Sequence, residues 1–411
     1  MLIERPAQPA PSPRQMLADF GPIYAANGLI GFIFAATGPL AILMSVGSEG
    51  GLTQAQIASW VFGCFGVNGL LSILASWYYR MPLTFFWTIP GAVLVGSALS
   101  HLSFAQVVGA YFACGLLMLV LGLSGWVRRL MQALPMPIVM GMVAGVFMRF
   151  GVDLIHALRD DLALAGPMVL TFVLMSVLPL GRRFPPLFAA ILVGVLLIVA
   201  QGSFDASGMR GATIAQPVFQ APEFAWQALF ELVVPLAITV LIVQNGQGFA
   251  VLDAVGHKAP INMATTGCGV WSLLTASVGS VSTCLAGPTN AMIASGGDKS
   301  RHYTGAILVG LLAMGFGLFS PLFTKLMLSS PKAFIATVAG LAMFRVLQTA
   351  FTISFRDRFT LGALVAFLVT VANVPIWNIG APFWGLVFGY LISRLLERPD
   401  FAATQASRTA D

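Results

Sequence analysis

Two short stretches of this 411-residue chain place proline where backbone groups could bind a ligand: Thr88-Ile89-Pro90-Gly91-Ala92 and Ala286-Gly287-Pro288-Thr289-Asn290. The residue before a proline disfavours helix, whereas proline itself suits a first helical turn. The segments leading into them, Leu83 to Trp87 and Ser280 to Leu285, are aromatic, β-branched or small and suit extended backbone. Each stretch therefore predicts an extended piece followed by a half-helix, starting near Pro90 and near Pro288. If the two half-helices begin close together, their unpaired N–H groups and positive dipole ends converge. That makes an anion site without a buried cation. Pro90, Gly91 and Gly287 shape the two turns. Thr88, Thr289 and Asn290 are candidate hydrogen-bonding groups, and Phe85, Phe86 and Trp87 candidate ring contacts for an aromatic solute. The competing reading is that the prolines only kink ordinary helices and the aromatics pack or face lipid.

Gln244-Asn245 is the other polar pair, placed at the end of an apolar run. A buried amide pair is costly unless hydrogen-bonded, so it either contacts a ligand or joins helices. Asn27 and Asn68 read as helix-joining groups. Glu231 lies about a turn and a half into the same run and is the candidate proton-coupling carboxylate, with an interfacial position as the alternative. Arg149 and Arg345 read as side chains that snorkel to an interface. His101, His156, His257 and His302 fall in predicted loops, which argues against a histidine relay at depth. Cys64, Cys114, Cys268 and Cys284 are far apart in apolar stretches and read as packing residues, so no metal site is expected.

The elements that must position these groups are membrane helices. The chain is 58% hydrophobic and 9% charged, against about 25% charged for soluble proteins. Residues 21–47, 272–297 and 359–393 carry no charge, and about 20 apolar residues suffice to cross a bilayer. Hydropathy gives fourteen spans: 22–46, 55–79, 85–100, 105–125, 134–155, 163–180, 185–201, 226–246, 261–279, 282–297, 303–324, 330–350, 359–374 and 378–396. The third and tenth are too short for regular crossing helices. Residues 1–20 hold Pro6, Pro9, Pro11 and Pro13 and read as a disordered cytoplasmic tail rather than a signal peptide. Residues 397–411 read as a second polar tail, and 202–225 as an extracytoplasmic loop.

With the N-terminus in the cytoplasm and each span crossing or half-crossing in turn, fifteen Lys and Arg residues fall inside and four (Arg159, Arg210, Lys325, Lys332) outside. The halves also echo one another. Pro135, Val143-Ala144-Gly145 and Arg149 recur about 196 residues later as Pro331, Val338-Ala339-Gly340 and Arg345, and Pro90 recurs as Pro288. Seven spans per half makes the second repeat (226–396) inverted relative to the first (21–201). Inverted repeats with discontinuous helices in matching places mark transporters.

Residues along the chain resemble the benzoate:proton symporter (BenE) family. The likeness is carried by Gln56 to Trp60, Trp77 to Pro82, Thr88 to Ala92, Ala144-Gly145 with Arg149-Phe150-Gly151, Gln244-Asn245 with Gly248, Ala254 to Pro260, Val365 to Thr370 and Phe383 to Leu386, over most of 20–395. The resemblance implies a seven-plus-seven inverted repeat shared with nucleobase and sulfate transporters. It implies a core domain (spans 1–4 and 8–11) that holds the site and a gate domain (spans 5–7 and 12–14) that often makes a dimer contact. Nucleobase relatives place carboxylates where Gln244 and Gly287 to Asn290 stand here, and neutral groups suit an anion. This chain departs from the family pattern at Gln247, where proline is usual, and in the polarity of Gly287 to Asn290.

The expectation is an all-α polytopic transporter of the bacterial inner membrane, with both termini cytoplasmic. It takes up a benzoate-like anion with a proton and needs no cofactor and no nucleic acid. Another small anion, a nucleobase-like solute and an anion channel remain alternatives. An intramembrane enzyme has no supporting motif: there is no His-Glu metal pattern and no nucleotide-binding glycine loop.

Overall fold

The computed structural model describes residues 3–127, 134–178, 185–205, 211–374, 376–377 and 379–403. Arg128, Arg129, Arg182, Arg183, Arg210 and Arg408, used above for orientation, lie outside the described residues.

After a short helix at Pro13–Asp19, the first half comprises α1 (Pro22–Glu49), α2 (Gln54–Tyr79), β1 (Phe85–Trp87), α3 (Ile89–Ala98), α4 (Phe104–Ser124), α5 (Met136–Asp160), α6 (Leu162–Val177) and α7 (Pro186–Gln201). The second comprises α8 (Trp226–Ala254), α9 (Ile261–Ala276), β2 (Thr283–Leu285), α10 (Gly287–Ile293), the bent pair α11 (His302–Leu318 and Ser320–Leu328), α12 (Lys332–Phe355), α13 (Thr360–Ala372) and α14 (Ala381–Leu396). Prolines open α1, α5, α7 and α14, where their missing N–H costs nothing. Capping boxes at Thr53/Gln56 and Ser103/Gln106 start α2 and α4.

By length and composition six of these helices are able to cross a membrane, or seven when the pair in α11, bent by 67°, counts as one. Hydropathy alone gave fourteen spans. The difference lies in seven shorter helices, α3, α6, α7, α9, α10, α13 and α14, each under 18 residues.

Packing sorts the helices into two groups. In one, α9 lies along α4, α11 along α2 and α1, and α10 between α1 and α8. In the other, α5 lies against α12 and α13, α13 against α14, and α6 against α7 and α12. Backbones come close in this second group because small residues line it. A Cβ on Gly145 would press on Thr370, and one on Gly340 on Phe150 and Leu154, so the repeated Val-Ala-Gly steps are helix contacts. The four cysteines are buried and free.

The expected extended pieces exist, and they pair. β1 and β2 form an antiparallel two-stranded sheet with Phe85 opposite Leu285, Phe86 opposite Cys284 and Trp87 opposite Thr283. Thr88 N–H to Ser282 O (3.0 Å) and Ala286 N–H to Thr84 O (2.9 Å) extend the ladder. Two strands leave two unpaired edges, and apolar surroundings offer no water to them. Side chains close both edges. Ser72 of α2 accepts from Phe85 N–H (2.8 Å), and Ser76 accepts from Leu83 N–H (3.1 Å). On the other strand, Ser272 of α9 accepts from Thr283 N–H (2.9 Å) and Asn245 of α8 from Leu285 N–H (2.8 Å). Asn290 Oδ1 takes the Thr84 N–H (3.0 Å) and hydroxyl (2.6 Å), and Asn68 Oδ1 the Thr283 hydroxyl (2.8 Å).

Two sequence expectations are corrected here. Residues 3–19 are not a disordered tail. Glu4 accepts from Asn262 and Met263 N–H (3.1 and 2.9 Å) and so caps α9, while Trp77 Nε1 donates to Pro11 O (3.0 Å) and Tyr303 to Asp19 (2.6 Å). Proline-rich composition hid this because the tail is held by backbone and carboxylate contacts, not by an apolar face. At the other end, Glu397 caps α13 through Leu361 and Gly362 N–H (2.8 and 3.0 Å). The histidines are not all in loops: His156 lies inside α5 and His302 opens α11. Replacing Glu4 by alanine should speed amide exchange at Asn262 and Met263 roughly 5-fold, the value of a lost cap of about 1 kcal/mol. Hydrogen exchange read by mass spectrometry on the residue 261–266 peptide checks this, and unchanged exchange refutes the cap.

Candidate functional site

Where the β1–β2 sheet ends, α3 and α10 begin, and beside them lies a cavity of about 380 Å³. One wall is aromatic: Phe86 and Trp87 from β1, and Phe34 from α1. Phe65 of α2 braces the first two, with ring centroids 5.5 Å from Phe86 and 4.7 Å from Trp87. The lining also includes Gln244 of α8 and Thr289 of α10, with Ala286 and Pro288 at the turn. No charged side chain lines the cavity among the described residues.

Local breaks in helix geometry bring these side chains in. α1 is interrupted at Thr37 (φ −99°, ψ −91°), which lets Phe34, Ala35 and Pro39 reach one cavity. At the break, Gly38 seats against α12: a Cβ there would collide with Ala342. α8 is not finished at residue 246 as hydropathy suggested. It continues to Ala254, and Gln244 closes a π-helical turn (Thr239–Gln244) inside it. The extra residue per turn shifts which side chain faces inward, a device common at functional sites. Within this turn Gln244 lines the cavity while its neighbour Asn245 bonds β2.

The residues singled out from sequence therefore divide. Phe86, Trp87, Gln244 and Thr289 line the cavity. Thr88, Pro90, Gly91, Asn245, Gly287 and Asn290 stand directly behind it. Thr88 Oγ1 caps its own helix at Gly91 N–H (3.2 Å) and pairs with Thr239 (3.0 Å). Gly91 is needed because a Cβ would strike Thr88, and Gly287 because one would press on Gln247 at 2.8 Å. Gln247, the departure from the family pattern, thus packs against the start of α10. Phe34, Ala35, Pro39, Ile89 and Cys284 are lining residues that sequence reasoning missed. The Thr37-Gly38-Pro39 step was a visible break signal in α1.

The two half-helices differ in electrostatics. The first turn of α3 is already capped by Thr88, whereas no side chain caps α10. The Gln244 amide and the Thr289 hydroxyl make no hydrogen bond among the described residues, although both residues are buried (9% and 2% exposed). Trp87 Nε1 and Asn290 Nδ2 are buried donors without partners as well. Buried polar groups left unmade are costly. The cavity therefore combines aromatic side chains with the Gln244 amide, the Thr289 hydroxyl and the Trp87 indole, none of them hydrogen-bonded among the described residues.

The family model of the benzoate membrane transport protein matches residues 18–395. The chain belongs to that family. It is a family of transporters, not enzymes. Among curated relatives, inner membrane protein YdcO of Escherichia coli (strain K12) is 27% identical over 375 residues, covering 90% of this chain and 94% of that protein. The benzoate membrane transport protein of Acinetobacter baylyi is 27% identical over 381 residues with the same coverage. In fold, the chain is similar to the transmembrane domain of the cyanobacterial bicarbonate transporter BicA (TM-score 0.61, 14% identity, covering 92% of this chain and 98% of that one). It is also similar to murine Solute Carrier 26 family member A9, an anion transporter in the inward-facing state (TM-score 0.61, 12% identity, 95% and 73%). This benzoate-transporter family member is thus a multi-pass membrane protein with the fold of anion transporters.

Lining and supporting residues should separate by stability. Asn245→Ala strands the buried Leu285 N–H and should cost ~1–3 kcal/mol. Gln244→Ala removes a group with no partner and should stay within ~0.5 kcal/mol of the parent. Thermal unfolding of the two variants in detergent gives the comparison; equal losses would mean Gln244 also supports the fold.

Proposed function

We propose that this protein is a secondary active transporter that takes up benzoate or a similar aromatic carboxylate together with a proton. The observation that carries this reading is the cavity itself: the aromatic side chains of Phe34, Phe86 and Trp87 together with the unpaired Gln244 amide, the Thr289 hydroxyl and the uncapped start of α10. A carboxylate is served by donors and by a helix start, and a phenyl ring by aromatic walls. A carboxylate side chain in the wall would repel such an anion, and none lines it among the described residues.

The seven-plus-seven repeat fits the same reading. Fourteen segments, with α3 and α10 as half-crossings preceded by β1 and β2, put both half-helix starts at mid-depth. The first packing group (α1–α4 with α8–α11) is then the core domain, and the second (α5–α7 with α12–α14) the gate. The cavity lies in the core, with Gly38 of α1 seated on α12 of the gate. Alternating access is the rocking of one group against the other. The excess of Lys and Arg on one side supports a cytoplasmic position for both termini, and the gate is the candidate surface for a homodimer. Glu231, buried in α8 (4% exposed), is the first candidate to carry the proton; the substrate carboxylate is the second.

The rival substrate class is another small anion, which the fold shared with bicarbonate and other anion transporters favours. Counterflow in proteoliposomes separates the two: labelled benzoate should exchange and bicarbonate should not, and the reverse outcome reassigns the substrate. Gln244→Ala should raise the KM for benzoate ~10-fold or more, as expected for a hydrogen bond to a charged group worth ~1.5–3 kcal/mol. Glu231→Gln should keep counterflow and lose accumulation driven by a pH gradient. Uphill uptake by that variant removes Glu231 as the proton carrier. A pore that equilibrates benzoate without ever concentrating it makes the protein a channel.

A further inference from the structure

Glu231 does not stand alone. Its Oε2 lies 2.8 Å from His101 Nε2, in the turn that follows α3, and His101 Nδ1 lies 3.2 Å from Ser100 Oγ. The carboxylate also accepts the backbone N–H of Gly380. Gly380 is the N-cap of α14, and it has no side chain to cap that helix. A Cβ at this position would collide with the Glu231 carboxylate, so glycine is what lets the two approach. The acid of α8 thus serves as the missing cap of α14. An ionised carboxylate is favoured at a helix start by the macrodipole and by the unpaired N–H groups. The three parts come from both packing groups: α8 and the α3–α4 turn from one, α14 from the other.

A second polar bridge joins the same two groups on the same face. Glu49, at the end of α1, pairs with Arg149 of α5 and accepts from Ser45. The face is shared because Gly50, next to Glu49, packs on Leu99, two residues before His101. The two bridges differ in chemistry. The Arg149–Glu49 bridge keeps its guanidinium and lies nearer the surface, whereas the Glu231 carboxylate is buried and its bonds to His101 and α14 depend on its charge.

We propose that Glu231, His101 and the first turn of α14 form a proton-operated latch that holds this face of the transporter shut. The proposal rests on the two-domain reading above and adds to it where the proton acts. With Glu231 ionised, the carboxylate holds His101 and the α14 N–H together. A further proton on Glu231 removes its charge, weakens both bonds and frees α14 to move away from α8. His101 is the positioning residue and the route of entry: its side chain is 22% exposed and that of Glu231 only 3%. Among the described residues, His101 is the one titratable side chain acting on Glu231. Glu223, from the segment packed on α4, bonds Ser103 and Gln106 instead. Asp153 of α5 interacts with His156 and with the Arg149–Glu49 bridge.

The test is a distance measurement that needs no substrate, so it stands or falls apart from the benzoate assignment. Spin labels are placed on Ala55→Cys, at the start of α2, and Leu162→Cys, at the start of α6; both positions are exposed, and the four native cysteines are buried. Lowering the pH from neutral to a value that protonates Glu231 should shift the population toward the longer distance. Glu231→Gln and Gly380→Ala should each sit at the longer distance at both pH values. His101→Ala should shift toward it and lose most of the pH response, while Glu49→Gln should lengthen the distance and keep the response. A distance that does not change with pH in the parent, or a full pH response in both Glu231→Gln and Gly380→Ala, overturns the latch. Benzoate counterflow on the same preparations reports the substrate reading independently.

Discussion

An extended peptide in an apolar medium must have every N–H and C=O bonded, and the centre of this protein is organised by that requirement. A helix meets it internally and a closed barrel meets it by closure. A two-stranded sheet does neither, because half of its groups point away from the ladder. Here the missing partners are serine and asparagine side chains from flanking helices: Ser72 and Ser76 on one edge, Ser272 and Asn245 on the other, with Asn290 and Asn68 at the strand ends. These bonds fix where α2, α8, α9 and α10 sit relative to the sheet. The sheet in turn fixes where α3 and α10 begin. Most of the polar residues buried at this level are therefore scaffold, and the few left over define what the cavity offers a ligand.

The leftover groups explain how an anion can be held without a cation. Burying a lysine or arginine at depth is costly and would bind many anions too well to release them. Amide, hydroxyl and indole donors cost less to bury and bind through geometry. Gln244 reaches the cavity because α8 carries a π-helical turn just before it, and that turn sends the adjacent asparagine back toward the strand. A single irregular turn thus divides one dipeptide between architecture and recognition.

Sequence reasoning reached the membrane class, the two extended-then-helical segments and the mirrored Val-Ala-Gly steps because each has a local cause. Proline placement, β-branched lead-ins and charge-free length act within a few residues. Four cavity residues, Phe86, Trp87, Gln244 and Thr289, were legible for the same reason. Phe34 and Ala35 were not, because their role depends on a bend at Thr37 and on packing against distant helices. The supporting roles of Asn245 and Asn290 were also out of reach, since a buried amide looks the same on paper whether its partner is a strand or a solute. His101 escaped notice because its loop position hid a contact with a residue 130 positions away. The docked N-terminal segment was missed because the caps that hold it join residues more than 250 apart in the chain.

The pairing of β1 with β2 also sets a schedule for making the protein. The first strand leaves the ribosome complete at residue 87, but its partner is not synthesised until residue 285. At about 5–20 residues per second, the interval is on the order of 10–40 s. During it, one face of β1 has Ser72 and Ser76 and the other has nothing. The third segment must therefore be sheltered at the translocon or at the water interface until the second half arrives. The final insertion of the first repeat therefore waits for the second, and a ribosome that stalls between the repeats would strand an open strand edge in the membrane.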